Sequence, residues 1–287
     1  MASEGEERKV EQPQVMELKV TRYEVADAIA IITLDRPERL NTWTGRMHHE
    51  YRHCLALAND STEVRAIIVT GAGRGFCAGA DSRALESHVE GGGYSPGTPQ
   101  DMPEPGYGVD PGFDALFAYH FGLAKPVIAA INGPAAGVGL VLACYADIRF
   151  AAAGAKLTTA HGRLNLPAEY GLSWLLPRLI GLSRAMELLL SSRVFYTEEA
   201  FSMGLVHRVL PGTALLPATL DYARHLIGSI SPNSLRQTRW QTYRDLQRGL
   251  PAAVGDANDL LQVMTTEADY REAVMAFTQK RTPQWGG

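Results

Sequence analysis

The first part of the chain places its apolar residues in two different periods. Residues 18–25 and 28–34 alternate or run apolar on either side of a two-residue gap, which predicts a β-hairpin. Residues 44–58 repeat apolar side chains at helical spacing. The apolar face of that segment consists of Met47, Tyr51, Leu55 and Ala58. We therefore expect a hairpin followed by an amphipathic helix.

Continuous apolar runs followed by glycine-rich turns occupy the middle of the chain. Residues 64–70 form one predicted strand, and residues 126–131 form a second that leads through a Gly-Pro turn into a helical segment at 137–145. A third strand is predicted at 147–152. Because strands alternate with helical segments in ββα and βα order, we predict an α/β fold.

The last third of the chain is helical in pattern from about residue 183 to residue 280. The predicted helices are Ala185–Ser191, Thr197–Met203, Leu215–Ser229, Leu235–Gln247 and Ala252–Thr278. We divide the chain into a disordered tail at 1–17, an α/β body at 18–205 and a helical region at 206–287. The glycine- and proline-rich stretch at 91–112 reads equally as a surface insert or as a lid over a substrate pocket.

Composition and charge fit an ordinary globular protein. Of 287 residues 46% are hydrophobic, and 27 basic against 31 acidic side chains leave a net charge of −4. We expect no nucleic-acid partner, because such proteins carry concentrated positive charge. The longest apolar run is interrupted, so no membrane span is expected. Three cysteines without disulfide or metal spacing, and no signal-peptide pattern, favour a cytoplasmic protein.

Several common catalytic motifs are incomplete in this sequence. Phe76 stands where a dinucleotide fingerprint requires its third glycine, and no phosphate-binding loop with a lysine occurs. The segment GLSWL at 171–175 lacks the closing glycine of a hydrolase elbow. His48, His49 and His53 have no metal-ligand spacing, so we interpret them as surface or interface residues and expect no metal.

Two glycine-rich turns remain as candidates for chemistry. FCAGAD at 76–81 and NGPAAGVG at 132–139 each follow a predicted buried strand. Each turn exposes backbone N–H groups near the start of a helix, where anionic oxygen binds. Two donors that meet at one carbonyl oxygen would form an oxyanion hole. From spacing alone, two ordinary tight turns remain the alternative.

An ordered series of short segments from about residue 25 to the C-terminus carries a family resemblance. The segments are ITLDRP at 32–37 with Leu40 and Asn41, RGFCAGAD at 74–81, KPVIAAING at 125–133, ADIR at 146–149, LPRLIG at 176–181, AFSMGLV at 200–206 and residues 277–283. Together they resemble the enoyl-CoA hydratase/isomerase (crotonase) superfamily. The resemblance implies a ClpP-like spiral of ββα units, with a helical C-terminal region that serves trimerisation.

The same resemblance implies an acyl-CoA thioester substrate and an enolate-like intermediate. The thioester oxygen would be held by the backbone N–H groups of Ala80 and Val138, although Val138 replaces a usual glycine. Arg39, Leu40, Ala78 and Ala80 would line the path of the CoA pantetheine. Coenzyme A would enter as part of the substrate, and no separate cofactor would be required.

The resemblance also implies a shared site in an oligomer. Phe277 and Lys280 match positions near the adenine and phosphates of CoA, which a neighbouring subunit often supplies. A homotrimer or a dimer of trimers is the usual assembly of this superfamily.

The acid/base positions depart from the family pattern. The first of the two glutamates that hydratases use falls at Val141, and the second falls at His161. Valine transfers no proton, so hydration by two glutamates cannot operate here. Glu169 resembles the single catalytic glutamate of some Δ3,Δ2-enoyl-CoA isomerases. Its neighbours Leu166, Tyr170, Leu172 and Trp174 are apolar, which would raise the pKa of its carboxyl group toward a useful range.

The resemblance therefore leaves three hypotheses about activity. Isomerisation with Glu169 as single base is the preferred one, and hydration by Glu169 with or without His161 is the second. The third is an acyl-CoA-binding homologue that has lost catalysis. His161 either acts as a second acid/base, hydrogen-bonds Glu169 or fills the space of the missing glutamate, and Glu169 itself is alternatively a structural residue at a helix start.

Overall fold

Two strands at the beginning of the chain form the predicted hairpin. In the computed structural model, which describes residues 16–91 and 104–286, strand β1 (Thr21–Ala26) pairs antiparallel with β2 (Ile29–Leu34). Asp27 and Ala28 connect them with φ of 52° and 61°. Two consecutive left-handed residues are typical of a type I′ turn, whose twist matches that of the paired strands.

The remaining strands complete a mostly parallel main sheet and form a small second sheet. They are β3 (Ala66–Gly71), β4 (Val127–Ile131), β5 (Ala135–Ala136), β6 (Ile148–Ala152), β7 (Lys156–Thr158), β8 (Phe195–Tyr196) and β9 (Arg208–Leu210). The main sheet has the order β1-β2-β3-β4-β6-β9, and a small second sheet has the order β5-β7-β8. Strands β3 and β4 are buried along their whole length, as expected for a parallel sheet covered on both faces.

Helices cover both faces of the main sheet. They are α1 (Gly45–Asp60), α2 (Ser82–Glu90), α3 (Tyr119–Gly122), α4 (Val138–Tyr145), α5 (Leu172–Ile180), α6 (Leu182–Ser191), α7 (Thr197–Ser202), α8 (Gly212–Ser229), α9 (Pro232–Asp245), α10 (Leu250–Met264) and α11 (Ala268–Gln279). Side chains of α1, α4 and α5 enter one core cluster. Those of α8 enter a second cluster against the opposite face. None of the helices described here is long and apolar enough to cross a membrane.

The C-terminal region differs from the prediction in two places. The single helix predicted at 252–278 is wrong, because α10 ends at Met264 and α11 begins at Ala268. Between them the hydroxyls of Thr265 and Thr266 donate to the carbonyl oxygens of Leu261 and Val263. Such side-chain bonds compete with the helical ladder. The second difference is strand β9, at Arg208–Leu210. It completes the main sheet but lies within the region 206–287 that was predicted to be helical.

His48 is buried, which contradicts its interpretation as a surface or interface residue. Its side chain lies between aromatic rings, with ring centroids 5.0 Å from Phe117 and 5.6 Å from Trp43. Burial, assisted by the charge of Arg52, lowers the pKa of His48 to about 3, so the ring is neutral. The helical period puts residue 48 next to the apolar face of α1 but not on it. The residue is buried because the segment around Phe117 packs against that side of the helix as well. His49 and His53 are half-buried.

Two sequence predictions fall partly outside the described residues. Residues 1–15 of the predicted disordered tail and residues 92–103 of the stretch at 91–112 lie outside them. The described end of that stretch contains a short 3₁₀ turn at Pro111–Phe113.

Glu50 ties the start of the first strand to helix α1. Its carboxylate is fully buried and accepts hydrogen bonds from the N–H groups of Lys19, Val20 and Thr21 at 2.8–3.0 Å. Burial by itself would raise the pKa of Glu50, but these N–H groups, the Thr21 hydroxyl and Arg46 outweigh it and lower the pKa.

We predict that Glu50→Gln lowers the free energy of unfolding at pH 7 by about 2 kcal/mol, since it removes a charged acceptor of several hydrogen bonds. The native pKa lies below the unfolded value, so this stabilisation is present above pH ~4.3 and is lost as pH falls through the native pKa. Urea unfolding of the parent protein and of Glu50→Gln at a series of pH values measures this difference in the free energy of unfolding. The exposed Glu63→Gln is the control, and an equal effect of both variants would contradict the prediction.

Candidate active site

Two asparagine side chains hold the glycine-rich loop that follows β3. Asn41 Nδ2 donates to the carbonyl oxygens of Ala72 at 2.9 Å and Gly75 at 2.8 Å. Asn132 Nδ2 donates to those of Gly73 at 2.9 Å and Gly75 at 3.1 Å. Buried carbonyls need such donors. Both asparagines belong to the family motifs, but residue type and order alone assign them no role. The signal that could have found them is their position directly after a predicted strand or turn.

The two glycine-rich turns singled out in the sequence pack directly against each other. Ala136 N–H donates to Cys77 O at 3.0 Å, and Cys77 N–H donates to Pro134 O at 3.1 Å. A Cβ atom added at Gly139 would lie 2.0 Å from Cys77 O. Helix α4 therefore begins in van der Waals contact with the first turn, and a glycine at 139 is required for that approach.

The predicted oxyanion donors occupy neighbouring turns, and both keep their N–H groups unused. Trp43 N–H donates to Gly79 O at 2.8 Å and Asp81 N–H to Trp43 O at 2.9 Å, so this pairing bypasses Ala80. Val138 is the first residue of α4, where no intrahelical acceptor exists. In the described part of the chain, neither N–H group donates a hydrogen bond.

The residues predicted along the pantetheine path also lie together. Ala78 N–H donates to Leu40 O at 3.0 Å, so the strand-like segment after Leu40 runs beside the turn that ends at Ala80. Leu40 has a φ of 50°, and the exposed Arg39 ends a 3₁₀ turn beside it. These four residues form one continuous edge that leads to the donor at Ala80.

Asp81 connects the two segments of this edge through its carboxylate. Its carboxylate accepts hydrogen bonds from Arg83 N–H and Thr42 Oγ1, both at 3.1 Å, and pairs with Arg36 at 2.9 Å. Burial alone would raise the pKa of Asp81, but these hydrogen bonds and the charge of Arg36 outweigh it and lower the pKa. Asp81 is also the N-cap of α2, where its side chain accepts a hydrogen bond from a backbone N–H of the first turn.

The two positions that would carry hydratase glutamates are both buried. Val141 lies one turn after Val138 on α4 and is 1% exposed. His161 is 7% exposed and begins a 3₁₀ turn, His161–Leu164, with its N–H bonded to Thr159 O at 2.7 Å. Its Nδ1 atom is buried and has no hydrogen-bond partner among the described residues.

Glu169 lies on a short turn that packs against α4. It is half-buried and begins the 3₁₀ turn Glu169–Gly171, which contacts both α4 and the start of α5. Tyr145, the last residue of α4, donates its hydroxyl to Tyr170 O at 2.8 Å. Of the apolar neighbours predicted around Glu169, Leu172 is buried, Tyr170 and Trp174 are half-buried and Leu166 is 36% exposed.

The comparisons with known proteins identify the family. A family model described as enoyl-CoA hydratase/isomerase matches residues 24–287. The chain belongs to the enoyl-CoA hydratase/isomerase family. The protein is therefore an acyl-CoA enzyme of this family, as the resemblance implied.

Curated relatives of the family cover nearly the whole chain. A 1,2-epoxyphenylacetyl-CoA isomerase from Escherichia coli (strain K12) is 36% identical over 92% of this chain and 97% of its own length. A probable enoyl-CoA hydratase from Rhodobacter capsulatus is 34% identical over 95% of this chain and 100% of its own length.

A solved structure of a family member confirms the crotonase fold. The crystal structure of a putative enoyl-CoA hydratase from Streptomyces coelicolor A3(2) has a TM-score of 0.82 and 29% identity, with 100% of each chain covered. The α/β class and the helical C-terminal region are thus as predicted.

The two CoA-site residues predicted near the C-terminus lie at the end of α11. Phe277 is 84% exposed on α11, and Lys280 follows that helix with a φ of 53°. No hydrogen bond or ion pair of the described residues joins either one to the turn at 78–80. A cavity of about 480 Å³ lies near the start of α11, but no predicted site residue of this family enzyme lines it.

We predict that Gly139→Ala destabilises the protein by about 1–3 kcal/mol, because the new methyl group overlaps Cys77 O. Separating the turns should also lower turnover about 100-fold, since a displacement of about 1 Å misplaces the donors. Gly228→Ala in α8 is the control, because its Cβ meets open space. Chemical unfolding and acyl-CoA turnover measure both effects, and a wild-type unfolding midpoint for Gly139→Ala would contradict the close approach.

Proposed function

We propose that this family enzyme isomerises enoyl-CoA esters with Glu169 as its single base. The observation that carries the proposal is the position of the carboxylate near α4: it lies on the turn that packs against the helix and not at residue 141 within it. The position of the first hydratase glutamate is a buried valine, Val141, whereas the half-buried Glu169 lies on a turn packed against the same helix. A single carboxylate on a turn that packs against the helix of the donor Val138 suits a reaction that moves one proton and adds no water.

In the proposed reaction, the Glu169 carboxylate removes a proton from C2 of a 3-enoyl-CoA. The electron pair of the C–H bond forms the C1–C2 double bond, and negative charge moves onto the thioester oxygen. The N–H groups of Ala80 and Val138 bind this oxygen and stabilise the dienolate. The Glu169 carboxyl group then returns the proton to C4, which leaves the double bond between C2 and C3 and restores the base.

Hydration of a 2-enoyl-CoA by Glu169 is the second candidate. Its support is His161, whose buried Nδ1 atom is available as a second acid/base or water ligand. The relative from Rhodobacter capsulatus is named a probable enoyl-CoA hydratase, whereas that from Escherichia coli is named an isomerase of 1,2-epoxyphenylacetyl-CoA. A catalytically silent acyl-CoA-binding homologue is the third candidate.

We further propose the surroundings in which the enzyme works. Coenzyme A is part of the substrate, and the proposed chemistry needs no other cofactor. The three cysteines are buried and free, which supports a reducing cytoplasm. Exposed apolar side chains on α10 and α11 support a homotrimer or a dimer of trimers; they are Leu250, Val254, Leu261, Val263, Tyr270, Val274, Met275 and Phe277.

We predict that Glu169→Gln lowers the conversion of 3-enoyl-CoA to 2-enoyl-CoA at least ~100-fold, because glutamine accepts no proton. Binding of a saturated acyl-CoA, measured by calorimetry, should be unchanged. Glu63→Gln, in the exposed turn that follows α1, is the matched control. Unchanged turnover in Glu169→Gln would remove Glu169 from the mechanism.

The same assays separate the three candidates. Hydration in the parent protein that is lost in both Glu169→Gln and His161→Gln would favour the hydratase. Acyl-CoA binding without isomerisation, hydration or thioester hydrolysis in the parent protein would favour the silent homologue.

We predict that Lys280→Ala raises the KM for acyl-CoA about tenfold and leaves kcat unchanged, because the lost charge binds a phosphate remote from the reacting carbons. Lys156→Ala, on the exposed side of β7, is the control. Light scattering should give three or six times the mass of one chain. If the parent protein scatters light as a monomer and Lys280→Ala keeps the parent KM, a CoA site shared between subunits is overturned.

A further inference from the structure

We propose that Tyr145 is a positioning residue that sets the distance between the base and the oxyanion hole. Its hydroxyl holds the turn that carries Glu169, while its own helix carries the donor Val138. The inference rests on the proposed function, since it assigns Glu169 as the base.

The first support is a direct contact between the helix and the turn. Tyr145 Oη donates to Tyr170 O at 2.8 Å, immediately after Glu169. A Cβ atom added at Gly171 would lie 3.0 Å from the same hydroxyl. The hydroxyl therefore lies under the backbone of the turn, and the absence of a side chain at Gly171 leaves room for it.

The second support is the backbone conformation of that turn. Tyr170 has φ 51° and ψ 36°, and Gly171 has φ 76° and ψ 13°. Left-handed backbone is unfavourable for a tyrosine and persists where surrounding contacts hold it. The hydrogen bond to Tyr170 O is such a contact, so its loss would let the turn relax and move Glu169.

The third support is the rigidity of the helix between the two ends. Helix α4 runs from Val138 to Tyr145, and all of its residues are buried. Seven steps at about 1.5 Å per residue separate the two ends by about 10 Å. Because both ends belong to one rod, the N–H donor at its start and the hydroxyl at its end keep a constant separation.

The ring of Tyr145 is itself fixed by its neighbours. Its centroid lies 5.1 Å from that of Phe121, 5.5 Å from His120 and 6.2 Å from Phe117. Burial raises the pKa of Tyr145 to about 12, so the hydroxyl remains a donor throughout the working pH range. Phe117 in turn packs on Tyr170 at 4.8 Å, which supports the same turn from a second direction.

The test compares Tyr145→Phe with Tyr51→Phe. Both variants delete one hydroxyl from the same buried aromatic cluster, but the Tyr51 hydroxyl bonds His120 Nε2 at 2.8 Å and does not touch the turn. We expect similar losses of melting temperature in the two variants. In Tyr145→Phe, kcat for 3-enoyl-CoA should fall about tenfold while KM stays within about twofold. Tyr51→Phe should keep the parent kcat.

Two further variants keep the result interpretable. Gly171→Ala crowds the same hydroxyl and should lower kcat, again with KM unchanged. Tyr145→Phe combined with Glu169→Gln should be no slower than Glu169→Gln alone, because a displaced base matters only while the base is present. An additional loss in the double variant would show that Tyr145 acts on another part of the site and would overturn the inference.

The outcomes distinguish this inference from the proposed function. If Glu169→Gln retains turnover, the proposed function fails and the role of Tyr145 fails with it. If Glu169→Gln is inactive but Tyr145→Phe has the same kcat as Tyr51→Phe, only the role of Tyr145 is overturned. A rise in KM with unchanged kcat in Tyr145→Phe would also overturn it.

Discussion

The close backbone contact between two turns organises the rest of this structure. Cys77 exchanges hydrogen bonds with the segment that precedes α4, and Gly139 brings the helix against the Cys77 carbonyl. The parallel neighbours β3 and β4 deliver both turns to the same edge of the sheet. Each turn carries one of the N–H groups, at Ala80 and Val138, that the proposed function assigns to the oxyanion hole.

The two sides of that contact differ in polarity: the edge that includes Asp81 is charged and hydrogen-bonded, whereas helix α4 is apolar. Asp81, the N-cap of α2, lies on the edge predicted for coenzyme A, and its carboxylate is bound by Arg83 N–H, Thr42 and Arg36. Helix α4 is apolar, and Val141 within it cannot transfer a proton. Under the proposed function, acid/base chemistry therefore falls to Glu169, with His161 as the second candidate.

The sequence predicted the elements best where one pattern dominated. The hairpin, α1, β3 and β4 followed from apolar periodicity, and the ordered motifs identified the family. His48 was misjudged because periodicity describes one helix and does not include the segment around Phe117 that covers it. The break between α10 and α11 was missed because the residues between the two helices include no glycine or proline.

The sequence by itself determined the fold family and the residue types at the candidate positions, with valine at 141 and glutamate at 169. These properties are local, since they depend on residue type and order. Only the tertiary structure decided that Asn41 and Asn132 support one loop and that Tyr145 reaches the turn after Glu169. Such contacts join segments between about 25 and 60 residues apart, and a linear pattern contains no information on which distant backbone atoms a side chain will meet.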